Sequence, residues 1–231
     1  RGMKLLALDS STAWISVAAG DGSAWHQRDE PASNAHSERV MPLIREALAD
    51  AGWRLRDLDA IAFGAGPGAF TGVRIACGVA QGLALGASLP VVPVCTLEAL
   101  AEASWLADGA ERVLAMLDAR MREVYVAAYR REGSGWVTAM APDVMKPDDV
   151  SAPQGAWMGA GDGFAQYPEV AKRLALLRTS VEARPTARAV GMLALPRLAA
   201  GEAVAARDAL PVYVRHRVAL TSVERDAGMR L

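Results

Sequence analysis

The sequence of 231 residues has few cysteines, few aromatic residues and no excess of either charge. Its two cysteines, Cys77 and Cys95, lie in apolar surroundings, which is typical of reduced thiols in a cytosolic protein and excludes a fold built on several disulfides. Aromatic residues make up 6% of the chain and hydrophobic residues 52%, so we expect a core of Ala, Leu and Val. The formal net charge of -1 argues against direct binding to nucleic acid or to an anionic membrane.

Long apolar segments are also missing from the chain. No uninterrupted run reaches the roughly 18 residues that are needed to cross a bilayer. Met3 leads directly into a strand-like stretch, so we expect no export signal and no membrane partner. Together with the reduced cysteines, these absences predict a cytoplasmic protein.

Histidine is scarce, and the three histidines are not spaced as metal ligands. His26, His36 and His216 stand far apart, and neither cysteine lies near one of them in the sequence. His36, close to a predicted helix start, is better explained as a surface or capping residue than as a catalytic base. The Gly-x-Ser-x-Gly signature of serine hydrolases is missing as well. The sequence therefore predicts no metal centre and no protease nucleophile.

A repeated pattern indicates two related lobes. An apolar strand that ends at Asp9 and a second apolar strand at 17–19 are matched, at one constant separation, by a strand that ends at Asp118 and another at 126–128. In each copy a glycine-containing turn follows, as in a β-meander. We therefore predict an α/β fold with two duplicated lobes, 3–106 and 107–231, and with the last segment able to pack back on the first lobe.

Helix and strand patterns alternate through both lobes, which predicts mixed sheets flanked by helices. In the first lobe we expect helices at 36–51, 70–85 and 97–106 and strands at 60–63 and 91–94. In the second lobe we expect strands at 112–117, 123–129 and 156–159 and a helix at 186–200.

The two strand-ending aspartates open polar turns that could hold a nucleotide. Facing hairpins of this kind hold ATP in actin-like and sugar-kinase-like proteins, whose phosphate turns usually contain glycine. Ser11 and Arg120 occupy those places here, so we expect no required cofactor and at most weak ATP or ADP binding, at a subunit interface. The candidate residues are Asp9, Ser10, Ser11, Thr12 and Asp118, with Gly159 and Gly161 as candidates for an adenosine pocket.

The most specific segment of the chain is the glycine-rich stretch at 63–74. It leads from a strand through a glycine turn into a helix, and its motif residues are Gly66, Pro67, Gly68, Thr71, Gly72 and Arg74. Such a junction can present helix N-terminal amides to an anion. The glycines could equally serve to let the strand and the helix pack closely, and the sequence leaves both alternatives open.

The helix that follows is apolar around most of its circumference. Gly78, Gly82 and Gly86 recur every four residues beside Ile75 and Val79, which predicts a small-residue groove for an unusually close helix. That helix could be the chain's own helix at 36–51 or a helix of another chain, and both alternatives stay open.

Several motifs together resemble the bacterial TsaB (YeaZ) family, which contains non-catalytic relatives of TsaD. The resemblance covers essentially the whole chain, is strongest up to Leu106, and is carried by Leu8-Asp9-Ser10-Ser11-Thr12, by His36-Ser37-Glu38, by the stretch 66–74, by Cys95-Thr96-Leu97-Glu98-Ala99-Leu100, by Asp118-Ala119-Arg120 and by Pro211-Val212-Tyr213-Val214-Arg215. It implies an actin-like ATPase (ASKHA, ribonuclease H-like) fold.

The resemblance also implies a role in making N6-threonylcarbamoyladenosine at adenosine 37 of tRNAs that read codons beginning with A. The implied partners are TsaD, bound through a helical face, and the ATPase TsaE, with a homodimer when the chain is alone and tRNA contacted only indirectly. The residues that we predict for the partner face are Val40, Leu43, Ile44, Ala47, Ile75, Gly78, Val79 and Gly82.

Enzymatic activity is the competing expectation. TsaD-like relatives carry a His-x-x-x-His pair, whose places are occupied by Thr96 and Leu100 in this chain, so we expect an accessory subunit and no enzyme. The alternative is a freestanding actin-like ATPase or small-molecule kinase that uses Asp9 and Asp118. The tail arginines Arg215, Arg217, Arg225 and Arg230 are expected to be solvated charge rather than an RNA contact.

Overall fold

Two five-stranded mixed sheets form the framework of the chain in the computed structural model, which describes residues 2–32 and 36–214. The first sheet and its helices contain β1 (Leu5–Asp9), β2 (Trp14–Gly20), β3 (Trp25–Pro31), α1 (His36–Asp50), β4 (Ala60–Gly66), α2 (Phe70–Ala87), β5 (Val91–Cys95) and α3 (Thr96–Asp108). The second sheet and its helices contain β6 (Arg112–Asp118), β7 (Val124–Glu132), β8 (Gly135–Met145), β9 (Met158–Ala160), α4 (Gly163–Gln166), α5 (Pro168–Arg173), β10 (Arg178–Ser180) and α6 (Ala187–Ala199).

The two sheets share one topology. The first has the strand order β3-β2-β1-β4-β5, and the second, taken from its opposite edge, has the order β8-β7-β6-β9-β10. In both, an antiparallel meander of three strands is followed by two strands parallel to the first. The repeat predicted from the matching Asp9 and Asp118 segments is therefore confirmed, and the mixed sheets flanked by helices are confirmed with it. The division of the chain at residue 106 stays a prediction.

The first sheet is covered on both faces because alternate residues of β1 enter different cores. Leu6 and Leu8 pack in the cluster that contains α1 and α2, whereas Leu5 and Ala7 pack in the cluster that contains α6. All five residues of β1 are buried, as expected for a central strand with helices on both sides. Helix α6 contacts β1, β2, β4 and β5 although it follows the second sheet in sequence, and α3 lies between α6 and strands β6 and β7.

A buried charged cluster joins α3 to the β7–β8 hairpin. Nη1 of Arg131 donates to Oε2 of Glu102 at 2.6 Å, and Nε1 of Trp136 donates to the same oxygen at 2.7 Å. The side chains of Glu102 and Arg131 are 4% and 13% exposed, so removal of one partner would leave the other charge in a site from which water is largely excluded.

Replacing Glu102 with alanine should therefore lower the free energy of unfolding by about 3–5 kcal/mol, because Arg131 would stay buried without its partner. Urea denaturation followed by circular dichroism measures this loss. The matched control is Glu132→Ala, which removes the partner of Arg130 in a pair that is about half exposed. That substitution should cost less than about 1 kcal/mol. Equal losses for the two variants would contradict the structural role assigned to the buried cluster.

Candidate functional site

A cleft of about 960 Å³ lies where the turns of the two hairpins approach each other. Ser11 and Thr12 reach it from the first turn, and Asp118 and Arg120 reach it from the second. The rest of its lining includes Tyr125 and Asp162 but is mostly apolar, and most of it comes from the start of α2, from β6 and from the chain at 212–214. The predicted pairing of the two turns across a cleft is therefore present for these four residues.

Two of the predicted first-turn ligands are buried away from this cleft. Asp9 and Ser10 are each 1% exposed and are not part of the cleft lining. Oδ1 of Asp9 accepts hydrogen bonds from the backbone N–H of Ser11 at 3.0 Å and from its hydroxyl at 2.7 Å. Ser10 donates its hydroxyl to the carbonyl of Gly72 at 2.7 Å. The prediction that Asp9 and Ser10 face a nucleotide is therefore corrected, because both side chains are used to fix the turn itself.

The second oxygen of Asp9, Oδ2, is buried without a hydrogen-bond partner among the described residues. It lies against Gly64, where a Cβ atom would overlap it. Burial raises the pKa of Asp9 from 3.8 to about 6, although the hydrogen bonds from Ser11 oppose the shift. A carboxylate in this position costs free energy at neutral pH unless it gains a further partner.

The second turn holds three consecutive residues, Arg120, Met121 and Arg122, in the left-handed region, with φ between 54° and 61°. Non-glycine residues pay roughly 1–2 kcal/mol each for this conformation. Oδ1 of Asp118 accepts from the backbone of Arg120 at 3.0 Å, and its Oδ2 pairs with the Arg120 guanidinium at 3.2 Å. Asp162 accepts from the backbone of Asp118, and its pKa is raised mainly by burial and further by the Asp118 charge. Asp118 and Arg120 are thus paired with each other within the turn.

The two glycines predicted for an adenosine pocket do not line the cleft. A Cβ atom on Gly159 would lie within 3 Å of Leu176 and Phe164, and one on Gly161 would overlap the carbonyl of Met116. Gly161 also has φ +115°, which favours glycine. Both glycines are therefore explained by close packing, and their prediction as nucleotide contacts is corrected.

The glycine-rich stretch packs tightly against the first turn. A Cβ atom on Gly68 would lie 2.5 Å from the carbonyl oxygen of Ser11, and one on Gly72 would overlap the carbonyl of Ser10. The backbone N–H of Ala69 donates to the carbonyl of Ser11 at 2.7 Å. These contacts agree with the alternative in which the glycines let the strand and the helix pack closely. Anion binding at the start of α2 stays a prediction.

Four residues predicted for the partner face are buried inside the chain. Val40, Leu43, Ile44 and Ala47 of α1 are at most 3% exposed and pack against the first sheet. Their assignment to an external surface is corrected, because the apolar face of α1 is covered by the chain's own sheet. Residues 33–35, just before α1, lie outside the described residues, as does the tail from Arg215 onward with its four arginines.

Helix α2 keeps a broad apolar face uncovered. Added Cβ atoms on Gly78, Gly82 and Gly86 would meet no other described residue within 4 Å. Ile75 and Val79 are partly buried beside them, and Leu85 is 75% exposed. Among the described residues, α2 is also the one helix long and apolar enough to span a membrane, a test that helices of soluble proteins also pass. The four α2 residues of the predicted partner face are thus all at least partly accessible.

Within residues 2–32 and 36–214, no three His, Cys, Asp or Glu side chains lie together as a metal site. Thr96 and Leu100, which occupy the places of the paired histidines of TsaD-like relatives, have structural contacts. The Thr96 hydroxyl accepts from the backbone N–H of Gly66 at 3.0 Å, and Leu100 is fully buried. The two thiols are free, and Cys95 lies 3.5 Å from the Tyr129 hydroxyl.

Solved structures similar to this chain share its fold over almost their whole length. YeaZ from Pseudomonas aeruginosa is 41% identical, with a TM-score of 0.84, and covers 91% of this chain and 99% of its own. A second structure from that organism, described as similar to peptidase YEAZ, has 40% identity and a TM-score of 0.86. Component A of Acidaminococcus fermentans (R)-2-hydroxyglutaryl-CoA dehydratase is 10% identical with a TM-score of 0.52 and shows the fold alone. The predicted actin-like ATPase fold is confirmed.

Sequence comparison agrees with the structural likeness. The family model of TsaD, the tRNA N6-adenosine threonylcarbamoyltransferase, matches residues 29–212. The tRNA threonylcarbamoyladenosine biosynthesis protein TsaB of Escherichia coli is 40% identical over 94% of this chain and 96% of its own length. The TsaB protein of Haemophilus influenzae is 36% identical over 94% of this chain and 95% of its own. By sequence, by fold and by the motifs around its two hairpin turns, the chain belongs to the TsaB (YeaZ) family.

Proposed function

We propose that this chain is a non-catalytic accessory subunit that supports TsaD in forming N6-threonylcarbamoyladenosine at adenosine 37 of tRNAs that read codons beginning with A. The names of the TsaB relatives support the biosynthetic process. The observation that carries the accessory role is the uncovered glycine face of α2. The ATPase TsaE joins the complex, tRNA is contacted only indirectly, and the assembly is cytoplasmic.

Three of the four glycines of α2 have no explanation within residues 2–32 and 36–214. Glycine in the middle of a helix destabilises it by roughly 0.5–1 kcal/mol relative to alanine. Gly78, Gly82 and Gly86 have open space where a side chain would stand, so no internal contact offsets this cost. A helix of a second subunit that approaches the α2 backbone closely would offset it.

The partner that fits this face is a protein of the same fold. The family model of TsaD matches this chain along 29–212, so TsaD carries a helix equivalent to α2. Two such helices can pack face to face about an approximate two-fold axis, as in isologous dimers. The same geometry permits a homodimer of this chain when TsaD is absent.

The cleft supports a non-catalytic role. Asp9, which would hold a metal–nucleotide complex in an ATPase, is sealed under the turn by Gly64 and Ser11. Asp118 is already paired with Arg120. Neither turn brings glycine N–H groups to the cleft for a phosphate, so we propose that no nucleotide is required in the isolated chain, and that any ATP or ADP bound weakly lies at the subunit interface.

The direct test is reconstitution of the modification with purified TsaD and TsaE from the same genome, an unmodified tRNA, ATP and an activated threonylcarbamoyl donor. Mass spectrometry of the digested tRNA should show that N6-threonylcarbamoyladenosine forms efficiently only when this chain is added. This chain without TsaD should form none. Equal product with and without this chain would contradict the accessory role.

Replacing Gly82 with arginine should abolish the stable complex with TsaD, because a long charged side chain would stand where the partner helix approaches. The isolated variant should stay folded, since nothing lies within 4 Å of the new Cβ atom. Size-exclusion chromatography with light scattering measures complex formation. The matched control is Ala199→Arg, at the exposed last residue of α6, which should bind as the unchanged chain does.

Replacing Gly78 with alanine should raise the free energy of unfolding of the isolated chain by about 0.5–1 kcal/mol, because alanine favours the helix and the site is open. Urea denaturation of the two proteins measures the change. Gly72→Ala is the control at a closed position, where the added Cβ atom would overlap the Ser10 carbonyl, and it should destabilise the chain. A loss of stability in Gly78→Ala would show that an internal contact requires this glycine.

The pH dependence of stability distinguishes a structural Asp9 from a catalytic one. Since its pKa rises from 3.8 to about 6 on folding, the folded chain keeps a proton that the unfolded chain has lost, and stability falls as the pH rises through this window. Asp9→Asn should lack this fall, so its stability relative to the unchanged chain should increase by up to about 3 kcal/mol from pH 4 to pH 7. Its support of tRNA modification should persist.

Denaturation curves at a series of pH values, with Asp59→Asn at an exposed site as the control, measure this difference. If the free energies of unfolding of Asp9→Asn and of the unchanged chain differ by the same amount at every pH, Asp9 does not titrate in this window. Loss of tRNA modification in a stably folded Asp9→Asn protein would instead favour the ATPase alternative.

A further inference from the structure

Most of the clearly exposed apolar side chains come from two segments that lie side by side. The large hydrophobic residues that are clearly exposed among the described residues are Phe70, Leu85, Met121, Val137, Leu177, Leu210, Val212 and Tyr213. Five of these eight belong to α2 or to residues 209–214, which we name the strap. Exposed apolar side chains on neighbouring segments indicate an interaction site more than an isolated exposed leucine does.

Hydrogen bonds hold the strap along α2. The carbonyl of Ala209 accepts from Nε2 of Gln81 at 2.7 Å and from Sγ of Cys77 at 3.4 Å. Farther along, the backbone N–H of Val212 donates to the carbonyl of Ala65 at 2.7 Å. The strap is therefore fixed at its start and at its middle, while the side chain of Leu210 between these points stays 64% exposed.

The end of the strap is fixed by a stack of side chains at the start of α2. Nε of Arg74 donates to the Tyr213 hydroxyl at 3.1 Å, and its guanidinium lies 3.6 Å from the ring centroid of Phe70. The Phe70 and Tyr213 rings are 6.4 Å apart. Both rings remain about half exposed, so the stack orders two aromatic side chains at the surface without burying them.

The strap and α1 flank the glycine face of α2 from opposite sides. Arg74, Cys77 and Gln81, which hold the strap, recur at i, i+3 and i+7 and so share one flank of the helix. Ile75, Val79 and Leu83 share the other flank and pack in the cluster that contains α1. Gly78 and Gly82 lie between the two flanks. The uncovered face is thus the floor of a groove, with α1 as one wall and the strap as the other.

We propose that the strap is a second contact element for the TsaD subunit, and that Leu210 packs against TsaD beside the glycine face. This inference rests on the proposed function. If α2 packs on its counterpart about an approximate two-fold axis, each wall of the groove faces a wall of the partner's groove. An axis parallel to the helices places the strap opposite the partner's first helix, and an axis across the helices places it opposite the segment equivalent to the strap. Leu210, which is 64% exposed on this wall, meets the partner in both arrangements.

The test uses the full-length chain, TsaD from the same genome and isothermal titration calorimetry. Leu210→Glu should weaken binding of TsaD by about tenfold or more, since it places a charge in an apolar contact. The matched control is Leu177→Glu, which changes a leucine that is 72% exposed beside the second sheet. It should bind within about twofold of the unchanged chain. Circular dichroism checks that both variants are folded.

The outcomes separate this inference from the proposed function. If Gly82→Arg abolishes binding while Leu210→Glu binds as the unchanged chain does, the strap is not a contact element and the inference is wrong. If Leu210→Glu weakens only self-association and leaves TsaD binding unchanged, the occupant is a second copy of this chain and the inference is again wrong. If Gly82→Arg also binds normally, the proposed docking face itself is wrong.

Discussion

The close approach of the first hairpin turn to the start of α2 is the contact on which the rest of the molecule depends. Ser10 donates to the carbonyl of Gly72, and the missing side chains of Gly68 and Gly72 let two backbones come within contact distance. This contact fixes where α2 begins and how it is rotated. The rotation decides that Val73, Ala76 and Ala80 are buried and that the glycine face points away from the sheet.

The same contact bears on the chemistry of the first turn. Ser10 is bonded to Gly72 and Asp9 is enclosed between Ser11 and Gly64, so neither side chain lines the cleft, whereas Ser11 and Thr12 do. The packing that positions α2 therefore keeps the Asp9 carboxylate, which the ATPase alternative requires, away from the cleft. The accessory role that we propose agrees with this enclosure of Asp9.

Much of the fold was predictable from the sequence because strand ends, glycine turns and helical periodicity are local signals. The repeat around Asp9 and Asp118 predicted the two sheets, and the α2 pattern predicted a small-residue groove but not which helix would fill it. The outward assignment of Leu43 and Ile44 was wrong, since periodicity shows which face of a helix is apolar but not what covers it. No local sequence pattern predicted the strap. The positions of Leu210 and Tyr213 are fixed by hydrogen bonds from the strap to residues of α2 that are far away in sequence.

The glycines of the uncovered α2 face are an unfavourable feature of the isolated chain, and the docking that we propose would offset it. Three helix glycines without contacts to other described residues weaken α2 by about 1.5–3 kcal/mol in total relative to alanine, a large share of the stability of an ordinary domain. The strap offsets part of this cost, because Gln81 and Arg74 tie α2 to a segment that also bonds to β4 through Ala65. The strap thus stabilises α2 through hydrogen bonds and also exposes Leu210 at the proposed docking surface. Because the strap and α1 hold α2 in place before a partner binds, little conformational entropy would be lost on docking.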